Sequence, residues 1–133
     1  MRAGVAVMGT DWPVSFLDPW IGFEGMVTRT SASEPELGPF YGEPISLAQA
    51  IRVMTINGAW SMGLDHEAGS IAVGKRADLM VTDQNLFAIE ALGGIGATQV
   101  ELTLVDGTPT WDGGGLLAPH GISAVWTDAP PSL

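Results

Sequence analysis

Cysteine is absent from all 133 residues, so disulfides, thiolate metal sites and a cysteine nucleophile are excluded together. That leaves the compartment open, since cytosolic and secreted proteins both occur without cysteine. Basic residues are almost as scarce. Arg2, Arg29, Arg52, Lys75 and Arg76 stand against 15 acidic residues and leave a formal net charge of −10. Nucleic-acid binding draws on clustered Lys and Arg that release counterions from phosphate, and no such cluster exists here, so nucleic acid is not expected as a partner. An acidic surface is likewise repelled by anionic lipid headgroups, and no run approaches the roughly 20 apolar residues that span a bilayer. Residues 1–8 lack the long apolar stretch and cleavage pattern of a signal peptide. The sequence therefore reads as that of a cytoplasmic protein without a membrane partner.

Hydrophobic residues make up 46% of the chain and charged residues 15%, a balance that points to a globular protein and against disorder. At this size roughly two thirds of the unfolded surface can be buried, enough for a core. The charged share is low for a surface that faces water alone. Part of that surface is expected to lie against another chain or domain.

Two textures divide the sequence. Residues 3–8 form a short, nearly continuous apolar run that stops at Thr10-Asp11-Trp12-Pro13. A run without polar alternation predicts a strand buried on both faces, as in a parallel sheet. Asp11 then falls at the strand's C-terminal edge, where α/β folds bind their ligands. Residues 14–44 are punctuated by proline and glycine and read as a long loop, with a short helix over residues 20–28. Ser46 and Gln49 fit a capping box at the start of the clearest helix, whose apolar stripe is Leu47, Ala50, Ile51 and Met54. Thr55 is placed to cap a second helix over residues 56–62, ended by Gly63.

Beyond Gly63 the pattern turns to β. Residues 69–75 read as a strand closed by a glycine turn, and residues 77–83 as another. Residues 99–105 and 108–111 flank Asp106-Gly107, a strong hairpin signal. From Asp112 onward glycine and proline leave a tail with a weak strand over residues 122–126. One buried strand cannot satisfy its own edge hydrogen bonds, so the first half predicts neighbours beyond itself.

The stretches Gly9-Thr10-Asp11-Trp12-Pro13-Val14, Thr28-Arg29, Ser46-Leu47-Ala48-Gln49-Ala50-Ile51, Thr55-Ile56-Asn57-Gly58-Ala59 and Gly69-Ser70-Ile71-Ala72-Val73-Gly74-Lys75-Arg76-Ala77-Asp78-Leu79, in that order, resemble the amidohydrolase superfamily. Within it the likeness is to the amidohydrolase-3 group, which includes N-substituted formamide deformylase-like enzymes, and it runs over about residues 4–111. The resemblance implies an α/β fold: a metal-dependent hydrolase (β/α)8 barrel, TIM-like, with a flanking β-sandwich. On that pattern residues 1–63 are the C-terminal end of the barrel, with strand 8 and closing helices. Residues 64–111 are a portion of the sandwich and residues 112–133 a Gly/Pro-rich tail, so the isolated fold is incomplete. The resemblance makes Asp11 the catalytic residue that contacts a metal-bound water, accepts its proton and passes one to the leaving nitrogen. A divalent ion, zinc in the first place, lowers the pKa of its water from about 15.7 to about 7, within reach of such a carboxylate. Asp11 counts as a metal-site residue only in the intact enzyme.

The sequence departs from the family pattern in one decisive respect. Members hold their metal with a His-x-His pair and further histidines, often a lysine too, and neither His66 nor His120 matches those positions. A catalytic divalent site uses about three protein ligands plus an open position, and a barrel takes at least about 200 residues. The sequence thus predicts the C-terminal fragment of a hydrolase acting on non-peptide carbon–nitrogen bonds in amides, formamides or cyclic amides. Alone it is expected to be inactive and to hold no cofactor. An upstream segment or a homo-oligomer is its expected partner, and a small-molecule substrate belongs to the intact enzyme. The alternative is a non-catalytic interaction module that assembles through an exposed sheet edge and apolar faces. A carbohydrate platform has little support, because Trp12, Trp20, Trp60, Trp111 and Trp126 share no spacing.

Each singled-out residue has a plainer reading as well. Asp11 can simply cap the following turn. Trp12 contacts substrate or, with Pro13, fixes the chain's direction after the strand. Arg29 binds a substrate carboxylate or pairs with Glu24, the pairing being the safer expectation. His66 reads as an exposed loop residue, His120 as part of the tail, and Lys75-Arg76 as a surface turn. Leu47, Ile51 and Met54 are expected in the core, and Asp78 as a hydrogen-bonding residue at a strand end. Gly69, Gly74 and Gly107 mark turns that need positive φ or a close approach.

Overall fold

A computed structural model describes residues 4–31, 34–90 and 92–125. Among them lie three α-helices, α1 (Pro19–Thr28), α2 (Leu47–Met54) and α3 (Ile56–Ser61), followed by three strands, β1 (Leu79–Thr82), β2 (Val100–Val105) and β3 (Thr108–Asp112). The result is a small α/β unit whose sheet is antiparallel in the order β1-β2-β3.

Local chemistry accounts for the helices. The Asp18 carboxylate accepts the Trp20 N–H at 2.9 Å, and Pro19 occupies the first helical position, where a missing N–H is harmless. Trp20, Phe23, Glu24 and Val27, spaced by three and four, form the buried face of α1. The helix expected over residues 20–28 is therefore present, one residue longer at its start. The capping box of α2 forms in both directions: Ser46 Oγ accepts the Gln49 N–H at 3.3 Å, and Gln49 Oε1 accepts the Ser46 N–H at 2.9 Å. Thr55 does not cap α3. Its hydroxyl donates back to the Ile51 carbonyl at 2.7 Å, because the last open carbonyls of α2 lie nearer.

The hairpin follows the expectation. Asp106 and Gly107 both take positive φ (51° and 77°), the primed turn whose twist matches paired strands. Val105 faces Thr108 across it, and Leu79 faces Leu104 on the other side of β2. Residues 77–83 and 99–105 form strands, shortened at their ends to β1 and β2.

Three other expected strands are corrected. Residues 4–10 adopt no regular secondary structure, and Val5 and Val7 are about half exposed (47% and 51%). No described strand lies alongside to take their backbone hydrogen bonds, so the apolar run has no ladder to join; residues 1–3 lie outside the described residues. Residues 69–75 form turns, with Ile71 and Val73 exposed, because positive φ at Gly69 and Gly74 reverses the chain twice. Residues 122–125 are not a strand either, although Val125 N–H donates to the Pro109 carbonyl at 3.0 Å; Trp126 lies outside the described residues.

The core gathers Trp20, Phe23, Val27, Ala50 and Ile95; Leu47, Ile51 and Met54, expected within it, are partly buried and pack at its edge. Trp20 and Phe23 meet as tilted rings, centroids 5.7 Å apart. Helix α1 is pressed against the 3-10 segment Leu92–Ala97, and the contact includes one buried charge-bearing side chain. Glu24 is 3% exposed, and its Oε2 accepts the Gly96 N–H at 2.7 Å. Glu24→Ala is expected to lower stability by about 2–3 kcal/mol, since it orphans the half-buried Gly96 N–H and opens space in the core. Glu24→Gln, which keeps an acceptor, is expected to lose only about 1 kcal/mol. Urea titration followed by circular dichroism reads both; equal losses would contradict the hydrogen-bond account.

Candidate functional site

The segment before Asp11 is seated on the helices. The Asn57 side-chain amide, on α3, donates to the Ala6 carbonyl at 2.9 Å. Met8 rests on α1 at Gly22, its methyl occupying the place a Cβ there would need. Asp11 follows with φ 54°, a left-handed conformation that Asp tolerates better than most residues. Its carbonyl accepts the Val14 N–H at 2.8 Å across a cis Trp12-Pro13 bond. The backbone, not the side chain, closes this turn. Among the described residues the exposed Asp11 carboxylate takes no hydrogen bond or ion pair. Trp12, beside it, is 55% exposed.

From this turn the chain runs into the wall of an open cleft of about 450 Å³. Val14, Phe16, Ile21 and Met26 of α1, and Phe40 line it. Arg29 lines it, whereas Asp11 and Trp12 stand outside its wall. Arg29 takes φ 60° as the residue after α1, donates its own N–H to the Gly25 carbonyl at 3.1 Å, and accepts the Phe40 N–H on its carbonyl. Its Nη2 donates to the Tyr41 carbonyl. Arg29 Nε is buried and has no hydrogen-bond partner among the described residues. The expected pairing of Arg29 with Glu24 is not formed; the Glu24 carboxylate instead accepts the Gly96 N–H.

His66 is exposed as expected, and its Nε2 lies 3.2 Å from Oε1 of its neighbour Glu67. His120 ends a short 3-10 turn, Ala118–His120. Among the described residues no group of three or more His, Asp or Glu side chains could hold a metal ion. Asp11 is a single carboxylate, so the described residues do not by themselves fit a divalent cation.

The stretch from Gly69 to Leu79 is structural. Lys75 Nζ donates to the carbonyls of Asp65 and Ala68, so this half-buried ammonium closes the turn after α3 and is more than a surface residue. The Arg76 N–H bonds the Glu67 carbonyl at 2.9 Å, and the Ala77 carbonyl accepts the Gly107 N–H at 3.0 Å. Asp78 Oδ1 accepts the Asp106 N–H at 2.7 Å while Oδ2 lies 3.5 Å from Arg76 Nε. Asp78 is thus the strand-end hydrogen-bonding residue expected, tying the start of β1 to the β2–β3 turn.

A sequence profile of the amidohydrolase family matches residues 1–110, and the chain belongs to that family. Enzymes of the family generally depend on a metal. In particular the chain is similar to the N-substituted formamide deformylase of Arthrobacter pascens, 35% identical over 108 residues, which are 80% of this chain and 19% of that protein. It is also similar to the imidazolonepropionase of Flavobacterium johnsoniae, 39% identical over 59 residues (44% of this chain, 14% of that protein). Adenine deaminase 4 of Rhizobium meliloti is 49% identical over 49 residues (36% of this chain, 8% of that protein). The matched stretch thus spans about a fifth or less of the length of these relatives.

Proposed function

We propose that this chain is the C-terminal portion of a metal-dependent hydrolase of non-peptide carbon–nitrogen bonds in small molecules, inactive without the rest of the enzyme. In this reading residues 1–63 close a (β/α)8 barrel, residues 64–111 belong to a flanking β-sandwich, and residues 112–133 are a tail. The zinc or other divalent ion depends on ligands beyond the described residues. The observation that carries the reading is the family match over residues 1–110, which includes Asp11, exposed and without a partner among the described residues. Its carboxylate accepts a proton from the attacking water and returns one to the nitrogen as the carbon–nitrogen bond breaks. Trp12 and Arg29 hold the substrate. The names of the similar proteins, a formamide deformylase and an adenine deaminase among them, support the bond class.

A chimera tests it. This chain replaces the matched stretch of the Arthrobacter pascens deformylase, and zinc content and hydrolysis of an N-substituted formamide are measured. The chimera is expected to bind zinc and turn over, and the chain by itself to do neither. A chimera that folds, by circular dichroism, yet holds no zinc would refute the proposal. Exposed Val5, Val7, Val14, Phe16 and Leu17 also suit the interaction module read from the sequence. An isolated chain that self-associates, with an inactive chimera, belongs to that reading.

A further inference from the structure

We infer that Asn57 is a positioning residue for Asp11: from α3 its side-chain amide fixes the main chain of the segment that ends in the exposed carboxylate. The inference rests on the hydrolase reading only in giving Asp11 a proton to carry. Among the described residues no strand lies beside residues 4–10, and the one hydrogen bond made to their backbone comes from Asn57, to the Ala6 carbonyl at 2.9 Å. The Met8 methyl also rests on α1 at Gly22, but the tip of a flexible side chain can shift without moving the backbone behind it. Asp11 follows Ala6 by five residues. The next hydrogen bond from this segment to a helix is that of the Asp18 carboxylate with the Trp20 N–H, at the start of α1. The Asp11 turn is thus slung between two attachments, and Asn57 makes the one on its N-terminal side. The donor is itself braced. Ile56 and Ala59 of α3 approach Gly69 too closely for a Cβ there, and Lys75 Nζ closes the turn after α3 on the carbonyls of Asp65 and Ala68. A donor held in this way orders its acceptor with little ordering of its own. The bond is open to solvent, so water can replace it energetically but cannot fix a direction. Direction matters to a carboxylate that moves a proton. It works within hydrogen-bond reach, and a displacement of about 1 Å can lower a rate on the order of 10²-fold.

The deformylase chimera carries the kinetic test. Asn57→Leu removes the donor at similar size and is expected to lower kcat at least about tenfold, with KM within about twofold of the parent. Zinc content and thermal melting are expected to stay as in the parent. Asn57→Gln, whose longer amide can bend to the same acceptor, is expected to keep kcat within about threefold. The full chain by itself supplies a second readout, its carbon and nitrogen chemical shifts, which needs neither metal nor turnover. In Asn57→Leu the shift changes are expected to run from Ala6 through Asp11 to Val14, while those of β2 hold. Four results overturn the inference: an unchanged kcat, equal losses in the two variants, a loss of kcat that tracks lost zinc or lost folded protein, or shift changes confined to Ala6 and Val7. An inactive parent chimera counts against the hydrolase reading instead, and the shifts still decide whether Asn57 places Asp11.

Discussion

Asp11→Asn in the deformylase chimera is expected to lower kcat by about 10²- to 10⁴-fold with KM within about twofold of the parent. Asparagine keeps the shape of the side chain but cannot take up and return a proton. The change should leave the fold alone for a reason visible in the structure. The turn is closed by the Asp11 carbonyl to Val14 N–H, at 2.8 Å, and the carboxylate has no partner among the described residues that asparagine could lose. Thermal melting and zinc content are therefore expected to match the parent. Retained turnover would remove Asp11 from the chemistry. A lost fold would show instead that the side chain has a structural part beyond the described residues.

Gly69→Val is expected to cost about 3–5 kcal/mol, enough to unfold a marginal domain at room temperature. Two effects combine. The residue sits at φ +78°, a conformation unfavourable for a β-branched side chain. A Cβ there would also lie 2.7 Å from the Ala59 Cβ and 2.8 Å from the Ile56 Cα, inside the contact between α3 and the following turn. Backbone cannot give way as a flexible side chain does. Gly74 separates the terms, since it has φ +90° with open space around it. Gly74→Ala is expected to cost about 1 kcal/mol, the conformational part alone. Urea midpoints for the two variants check the account, and equal losses would show that crowding at α3 is irrelevant.

How legible the molecule was depended on distance along the chain. The capping box joins Ser46 to Gln49, three residues apart, and it formed in both directions. Asp106-Gly107 carries its own turn preference, and the hairpin followed. Asp78 was read as a strand-end hydrogen-bonding residue and bonds the Asp106 N–H. By contrast the apolar runs at residues 3–8 and 69–75 looked like strands, because composition says that backbone is fit for pairing and not whether a partner lies beside it. The sequence pairs Arg29 with Glu24 as an acid near it in the chain. The real partner of Glu24, Gly96, is 72 residues away, and no local pattern announces it. At the candidate site, the end of the apolar run at Asp11 was legible, while its openness to solvent and the burial of Arg29 Nε required the packed chain.

By itself the sequence determined the helices at residues 19–28 and 47–54, the Asp-Gly hairpin and the family to which the chain belongs. These rest on side chains a few positions apart or on an ordered series of short stretches. Only the tertiary structure decided which apolar residues are buried, where Glu24 finds its partner, and how Arg29 comes to line a cleft. Each of these depends on surfaces brought together from distant parts of the chain, and contact between such surfaces is a property of packing that no local preference encodes.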